Sequence, residues 1–330
     1  MTADVRDLAR PTLLAQRYAL AAEIGHGGCA IVYDANDIRL GRRVALKLVK
    51  SNTRDPQAYE RLAREARASA AIQHPNVCSI SDAGVIEDGR PYLVMERLYG
   101  ETLTRCLHRW GRLSPLDATD VALQLLSALE AAHTIGIVHR DVKPDNVFIV
   151  PRRGFGPLVK LLDFGMCRRT TFAELSDDVT LTRVGQVVGT PEYMSPEQVS
   201  GKREFDNRID LYAVGVILYE ALSGQRAFTG KDAREVITSV LTRSLPPLRS
   251  IRPEIPHFLD RIVSRAMDRD ASFRYSSATA FQHELLEARA ALLAPQMPVA
   301  QQSGTQVRHD SDSWDEPTRL LVGSRARRTA

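Results

Sequence analysis

His139-Arg140-Asp141-Val142-Lys143-Pro144-Asp145-Asn146 is followed by Asp163-Phe164-Gly165 and, further on, by Ser195-Pro196-Glu197. One loop and one nearby turn thus carry a carboxylate able to take a proton from a hydroxyl (Asp141), a lysine for a phosphate (Lys143), and two hard oxygen donors suited to magnesium (Asn146 and Asp163). These are the side chains that phosphoryl transfer to a hydroxyl requires.

Working outward, Gly25-His26-Gly27-Gly28-Cys29-Ala30-Ile31-Val32 is a glycine-rich turn between two apolar-alternating segments, and Val44-Ala45-Leu46-Lys47 stands on the next one. Glycine lets backbone amides approach phosphate oxygens with no side chain in the way. In this order the motifs resemble those of the protein kinases, of the serine/threonine type. Within that type the bacterial eukaryotic-like group is the most similar, through the Gly-Thr-Pro-Glu-Tyr-Met-Ser-Pro-Glu run at 189–197. The resemblance spans about residues 18–289, and its ordered motifs are far more specific together than any one alone.

The resemblance implies an α+β, bilobal protein-kinase fold: a small β-rich N-lobe with one main helix and a larger helical C-lobe. It also implies roles. Asp141 is the catalytic carboxylate, Lys143 neutralises charge on the moving phosphoryl group, and Lys47 holds the α and β phosphates while Glu65 pairs with it. Asn146 and Asp163 bind the metal. Gly25, Gly27 and Ala30, the last standing where a third glycine is usual, cover the phosphates. Val32 and Ala45 roof the adenine, Phe148 forms its floor, Met95 gates the pocket behind it, and Glu96 to Leu98 is the hinge. The implied cofactors are ATP and Mg2+, with Mn2+ as an alternative. Glu197 is expected to pair with Arg274, and Asp210 to tie the catalytic loop to the following helix.

Composition agrees with a globular protein: 330 residues with 44% hydrophobic and 25% charged side chains bury a sizeable core. A net charge of +4 on this length gives no reason to invoke nucleic acid. The longest uncharged apolar run, 211–219, is too short for a bilayer, and the first ten residues carry Asp4 and Asp7 and no apolar core of a signal peptide. Cys29, Cys78, Cys106 and Cys167 show neither metal-type nor disulfide-framework spacing. A cytoplasmic protein with reduced thiols, without a membrane or nucleic-acid partner, is expected. Cys29 and Cys167 lie inside motifs and read as small apolar fillers.

Periodicity predicts strands at 18–34 (two, joined by the glycine-rich turn), 43–49, 79–85 and 91–96, the last two joined by a turn at 87–90. A helix is predicted over 56–72, stopped by His74-Pro75. Ser114 reads as an N-cap with Pro115 at the first helical position, opening a helix to His133. Further helices are predicted near 208–222, 233–241, 255–267 and 277–292. The organisation is therefore an N-terminal extension (1–17), the N-lobe (18–98), the C-lobe (99–292) and a tail (293–330) expected to be disordered.

Between Asp163 and Glu197, Thr180 and Thr182 are the expected regulatory phosphosites, with Arg140 and Arg168 as phosphate partners. Thr190 is expected to lie near Asp141 and Lys143. Asp145 and Glu101 lie where basic substrate residues could dock, or are solvated surface. In the tail, Asp315-Glu316-Pro317-Thr318-Arg319-Leu320-Leu321 resembles a ligand for a phosphothreonine-binding partner. The function implied is an ATP-dependent serine/threonine protein kinase with protein substrates, autophosphorylating in its activation segment. The alternatives are a pseudokinase scaffold, against which Lys47, Asp141, Asn146 and Asp163 all stand, and a small-molecule phosphotransferase, whose family lacks the peptide-binding run at 189–197.

Overall fold

The computed structural model describes residues 13–28, 30–50, 66, 70–164, 191–201 and 206–294. Its first half is a six-stranded antiparallel sheet of β1 (Leu13–Leu14), β2 (Tyr18–His26), β3 (Ala30–Asp37), β4 (Arg42–Val49), β5 (Ile80–Val85) and β6 (Pro91–Glu96), ordered β1-β2-β3-β4-β6-β5. Partners across a ladder share a face. Val32 pairs with Lys47 and Lys47 with Leu93, while Ala45 pairs with Met95. One face therefore carries Val32, Ala45, Lys47, Leu93 and Met95. The other carries Tyr18, Ala35, Val44, Leu46, Leu48, Tyr92 and Val94, which are packed into a core of their own with Leu14. The sheet curls until β5 comes within reach of β2: Arg17, just before β2, reaches both Asp37 on β3 and Asp82 on β5, and the Tyr18 hydroxyl donates to Asp82.

Of the helix predicted over 56–72, most lies outside the described residues. Ala66 is helical and buried, and it packs with Leu93 alongside Val49, Ile80 and Met95.

The second half is helical, as the helical periodicity beyond residue 99 predicts. It contains α1 (Leu103–Trp110), α2 (Pro115–Thr134), α3 (Pro196–Val199), α4 (Arg208–Ser223), α5 (Ala233–Thr242), α6 (Leu248–Ile251), α7 (His257–Ala266) and α8 (Ala278–Leu293). Ser114 caps α2 by accepting from the Asp117 amide, with Pro115 at the first helical position. The pattern 208–222 becomes α4, whose sides are almost all buried, so an all-round apolar helix here is the axis of the lobe's core. Gly215 on α4 is required by close packing, since a Cβ there would fall 2.8 Å from the Ala266 Cβ.

Besides the short β1, α3 and α6, two features near the site were not expected. α1 follows directly on the hinge, capped by Thr102. A three-stranded sheet of β7 (Glu101–Thr102), β8 (Val147–Val150) and β9 (Leu158–Leu161), ordered β7-β8-β9, also stands in the helical lobe. The open end of its β8–β9 hairpin, where Val147 pairs with Leu161, sets the loop that enters β8 beside Asp163, just past β9.

Candidate active site

The loop 139–146 runs from α2 to β8, and its backbone is fixed from below by the buried α4. Asp210 accepts from the His139 and Arg140 amides, each at 2.8 Å, and from His133 Nε2 at 2.8 Å. His139 is fully buried; its Nε2 donates to the Leu162 carbonyl at 2.9 Å, so Nδ1 is the acceptor facing the Asp141 amide at 3.3 Å. Its ring lies 4.7 Å from that of Phe164. Arg140 takes φ of +68° and Asp163 φ of +48°. Side chains other than glycine adopt this region at a cost, and such strain is retained where the surrounding bonds over-determine it.

Those constraints fix the backbone of Asp141, whose carboxylate stays partly exposed. Lys143 Nζ donates to Asp141 Oδ2 at 2.8 Å, and Asn146 Nδ2 donates to the Asp141 carbonyl at 2.8 Å and to Oδ2 at 3.2 Å. With its amide nitrogen spent in this way, Asn146 has its Oδ1 left over as an acceptor. The Leu162 amide donates to the Asn146 carbonyl at 2.8 Å, which brings the Asp163 turn beside the catalytic loop. From the sheet above, Lys47 Nζ reaches Asp163 Oδ2 at 2.7 Å.

Among the described residues no three His, Cys, Asp or Glu side chains cluster as a metal cage. The donor set is one carboxylate and one amide oxygen, all hard oxygen ligands. That set fits a divalent cation which keeps waters and binds substrate phosphates rather than one held in an all-protein cage.

The nucleotide-facing wall predicted from sequence lies on one face of the sheet: Val32, Ala45, Lys47 and Met95, with Gly25 opposite Val32. Gly27 and Ala30 close the mouth of the turn through a 2.9 Å bond from the Gly27 amide to the Ala30 carbonyl. Phe148 on β8 pairs with Thr102 of β7 and approaches Gly100 just past the hinge. Within the hinge, the Leu98 carbonyl accepts from the guanidinium of Arg97, which also stacks on Tyr99.

Residues that sequence reasoning missed hold this hinge. Lys160 on β9, 9% exposed, donates to Glu96 Oε1 at 2.7 Å and to the Val77 carbonyl at 3.2 Å, while Glu96 Oε1 also accepts from the Ser79 amide. A lysine in an apolar strand, three residues before the Asp163 turn, was the available signal. Gly100 is the second: a Cβ there would lie 2.0 Å from the Ile149 carbonyl. Gln198, also missed, holds the 139–146 loop rather than the hinge, donating from α3 to the Arg140 carbonyl at 3.0 Å.

The expected pair of Glu197 and Arg274 is formed by two bonds, 2.7 and 2.9 Å, around a fully buried guanidinium. Burial alone would push the Glu197 carboxyl up, but the bonds and charge of Arg274 outweigh it and hold it below its ordinary value. Tyr193, beside the same segment, donates to Glu220 on α4. Asp145 is exposed and Glu101 pairs with Arg109. Cys78 and Cys106 are free and buried; burial pushes the Cys106 thiol up to about 11 and the Cys78 thiol higher still, which makes both unreactive. Glu65, Cys29, Cys167, Arg168, Thr180, Thr182, Thr190 and the tail with Thr318 lie outside the described residues.

A two-lobed fold with a carboxylate-lysine-amide loop below a lysine-bearing sheet defines a phosphotransferase cleft, and the comparisons say which kind. The family described as "Protein kinase domain" matches residues 18–286, and the chain belongs to that family. It is 40% identical over 275 residues to serine/threonine-protein kinase pkn3 of Myxococcus xanthus, covering 82% of this chain and 50% of that one. It is 37% identical over 315 residues to serine/threonine-protein kinase PknA of Mycobacterium tuberculosis, covering 91% of this chain and 70% of that one. The crystal structure of the Mycobacterium tuberculosis PknI kinase domain superposes with a TM-score of 0.64 at 23% identity, over 85% of this chain and 99% of that domain, a likeness of fold. The chain spans 50%, 39% and 46% of three of its curated relatives. The bilobal kinase fold expected from the motifs is the fold observed, and the family uses ATP with a divalent metal.

Proposed function

We propose that this chain is an ATP-dependent serine/threonine protein kinase, transferring the γ-phosphoryl group of ATP to Ser and Thr hydroxyls of proteins, with Mg2+ preferred and Mn2+ accepted. The observation that carries the reading is Asp141 held by Lys143 and Asn146, directly beside a turn whose Asp163 is met by Lys47 from the other lobe. When bound, ATP and its cation supply the phosphoryl group and the electrophilic metal. Asp141 would orient the acceptor hydroxyl and take its proton as that oxygen bonds to the γ-phosphorus and the bond to the β–γ bridging oxygen breaks, with ADP as the leaving group. Lys143 offsets the charge on the phosphoryl oxygens, and Lys47, fixed by Glu65, holds the α and β phosphates. Asn146 and Asp163 hold the cation.

Gly25, Gly27 and Ala30 shield the phosphates from water, while Val32, Ala45, Met95 and Phe148 sandwich the base and Glu96 to Leu98 bond its edge through the backbone. In this reading Thr180 and Thr182 are autophosphorylated, Thr318 serves a phosphothreonine-binding partner, and the protein acts in the cytoplasm, where ATP is supplied. Among the described residues no helix is long and apolar enough to cross a membrane.

The test incubates wild type and Asp141→Asn with labelled ATP, Mg2+ and a generic basic protein, then locates phosphate by mass spectrometry. Phosphoserine or phosphothreonine on the protein with wild type, lost in the variant, is expected. Wild type that labels no protein overturns the reading.

A further inference from the structure

His26 sits between the two glycines of the phosphate-covering turn, and the chain of contacts through it involves none of the residues given a catalytic or metal role above. Its Nδ1 lies 2.8 Å from Glu23 Oε1 and its Nε2 lies 2.8 Å from Lys50 Nζ. Lys50 Nζ also donates to the Gly27 carbonyl at 2.7 Å. An ammonium has only donors, so His26 Nε2 must be the acceptor and Nδ1 carries the proton given to Glu23. The bonds form a directed relay, Lys50 to His26 to Glu23, with a branch onto the backbone of the turn itself.

The register explains how Lys50 gets there. Ala30 pairs with Val49, the last residue of β4, so the next residue emerges level with the mouth of the turn. Lys47 and Val49 point to the cleft face, whereas Lys50 is past the strand end and free to reach over the turn. Gly27 is then held at both ends of its peptide units: its amide by Ala30 and its carbonyl by Lys50. Without such a fixture, a turn of three glycines must lose much backbone entropy each time it closes on a ligand.

We infer that Lys50, with His26 and Glu23, is a latch that preorganises the glycine-rich turn for nucleotide, making Lys50 a positioning residue for ATP binding. This inference rests on the kinase reading for its kinetic consequence but not for its structural one. Preorganisation acts on binding and not on the bond-making step. Lys50→Met therefore raises the KM for ATP by about 3- to 10-fold, the worth of an ordinary hydrogen bond, and leaves kcat at saturating ATP unchanged. Lys50→Arg, which keeps a donor at the same reach, restores the KM. The KM for the protein substrate stays constant in both.

Two readouts separate the latch from the catalytic reading. In nucleotide-free protein, amide hydrogen exchange in a peptide covering Glu23 to Gly28 is faster in Lys50→Met than in wild type, and Lys50→Arg returns it toward wild type. Exchange that is faster in Lys50→Met than in a wild type without kinase activity leaves the latch standing and removes the kinase reading. An active wild type whose KM for ATP and exchange are both unmoved by Lys50→Met overturns the latch. A fall in kcat at constant KM overturns it too, since that would place Lys50 in the chemical step.

Discussion

Asp210 shows how much one buried side chain settles here. It is 1% exposed and satisfies two consecutive amides of the catalytic loop, His139 and Arg140, the second in a left-handed conformation. Removing it strands the buried His139 amide, at about 1–3 kcal/mol, and frees the part-buried Arg140 amide that holds the left-handed turn. Asp210→Ala is therefore expected to lower both the melting temperature and kcat. A variant that melts as wild type does would show that the loop is held by something else.

Glu197 makes a prediction about pH. Its folded value is depressed below the unfolded one, so its pairing with Arg274 contributes at neutral pH and is lost as pH falls through the carboxylate range. Breaking such a buried pair typically costs about 3–5 kcal/mol at neutral pH. The gap in melting temperature between wild type and Glu197→Gln should be wide at about pH 7 and shrink at about pH 3, below the ordinary Glu value. A gap equally wide at both contradicts the pairing as the cause. Both residues were legible in the sequence by position in an ordered motif series. The left-handed backbone at Arg140 and Asp163 was not, because arginine rarely adopts positive φ and a lone aspartate, though enriched there, does not mark it.

Among the elements, the hinge is the informative one. Gly100 permits the chain to lie against β8, where Phe148 stands, and a Cβ would overlap the Ile149 carbonyl. Gly100→Ala must push β7 from β8, an overpacking that typically costs about 1–3 kcal/mol, and it should also raise the KM for ATP. Calorimetry and steady-state kinetics check the two effects. Unchanged values in both would mean that the hinge is free to relax. Lys160→Met tests the strut behind it: Glu96 loses its counter-charge, and weaker ATP binding is expected from direct titration, with unaltered affinity as the contrary result.

These elements were also the least readable. The strands around 18–49 and 80–96 announce themselves by alternation, and α2 by Ser114-Pro115. In contrast β8 and β9 are four residues each, separated by Pro151-Arg152-Arg153-Gly154-Phe155-Gly156-Pro157, too long a link to mark a hairpin by turn chemistry. α1 follows so closely on β7 that its periodicity has barely begun before Gly111 ends it. Side-chain contacts such as Lys160 with Glu96 span 64 residues and leave no local trace.

On the scale of the molecule, the site is divided between two lobes. Lys47 belongs to the curled sheet, while Asp141, Asn146 and Asp163 belong to the helical lobe. The segment 76–79 bonds to β9 through Asn76, Val77 and Cys78, which ties the sheet lobe to the strand leading to Asp163. The 2.7 Å contact of Lys47 with Asp163 brings together, from the two lobes, the cation proposed to hold phosphates and the carboxylate proposed to hold the metal. That convergence is tested most directly by calorimetric titration of ATP into wild type and Asp163→Asn, with and without Mg2+. Wild type should bind ATP more tightly with Mg2+ than without, and Asp163→Asn should bind with that difference abolished. A folded wild type that takes up no ATP at millimolar concentration, or a variant with the same Mg2+ dependence as wild type, would contradict the account.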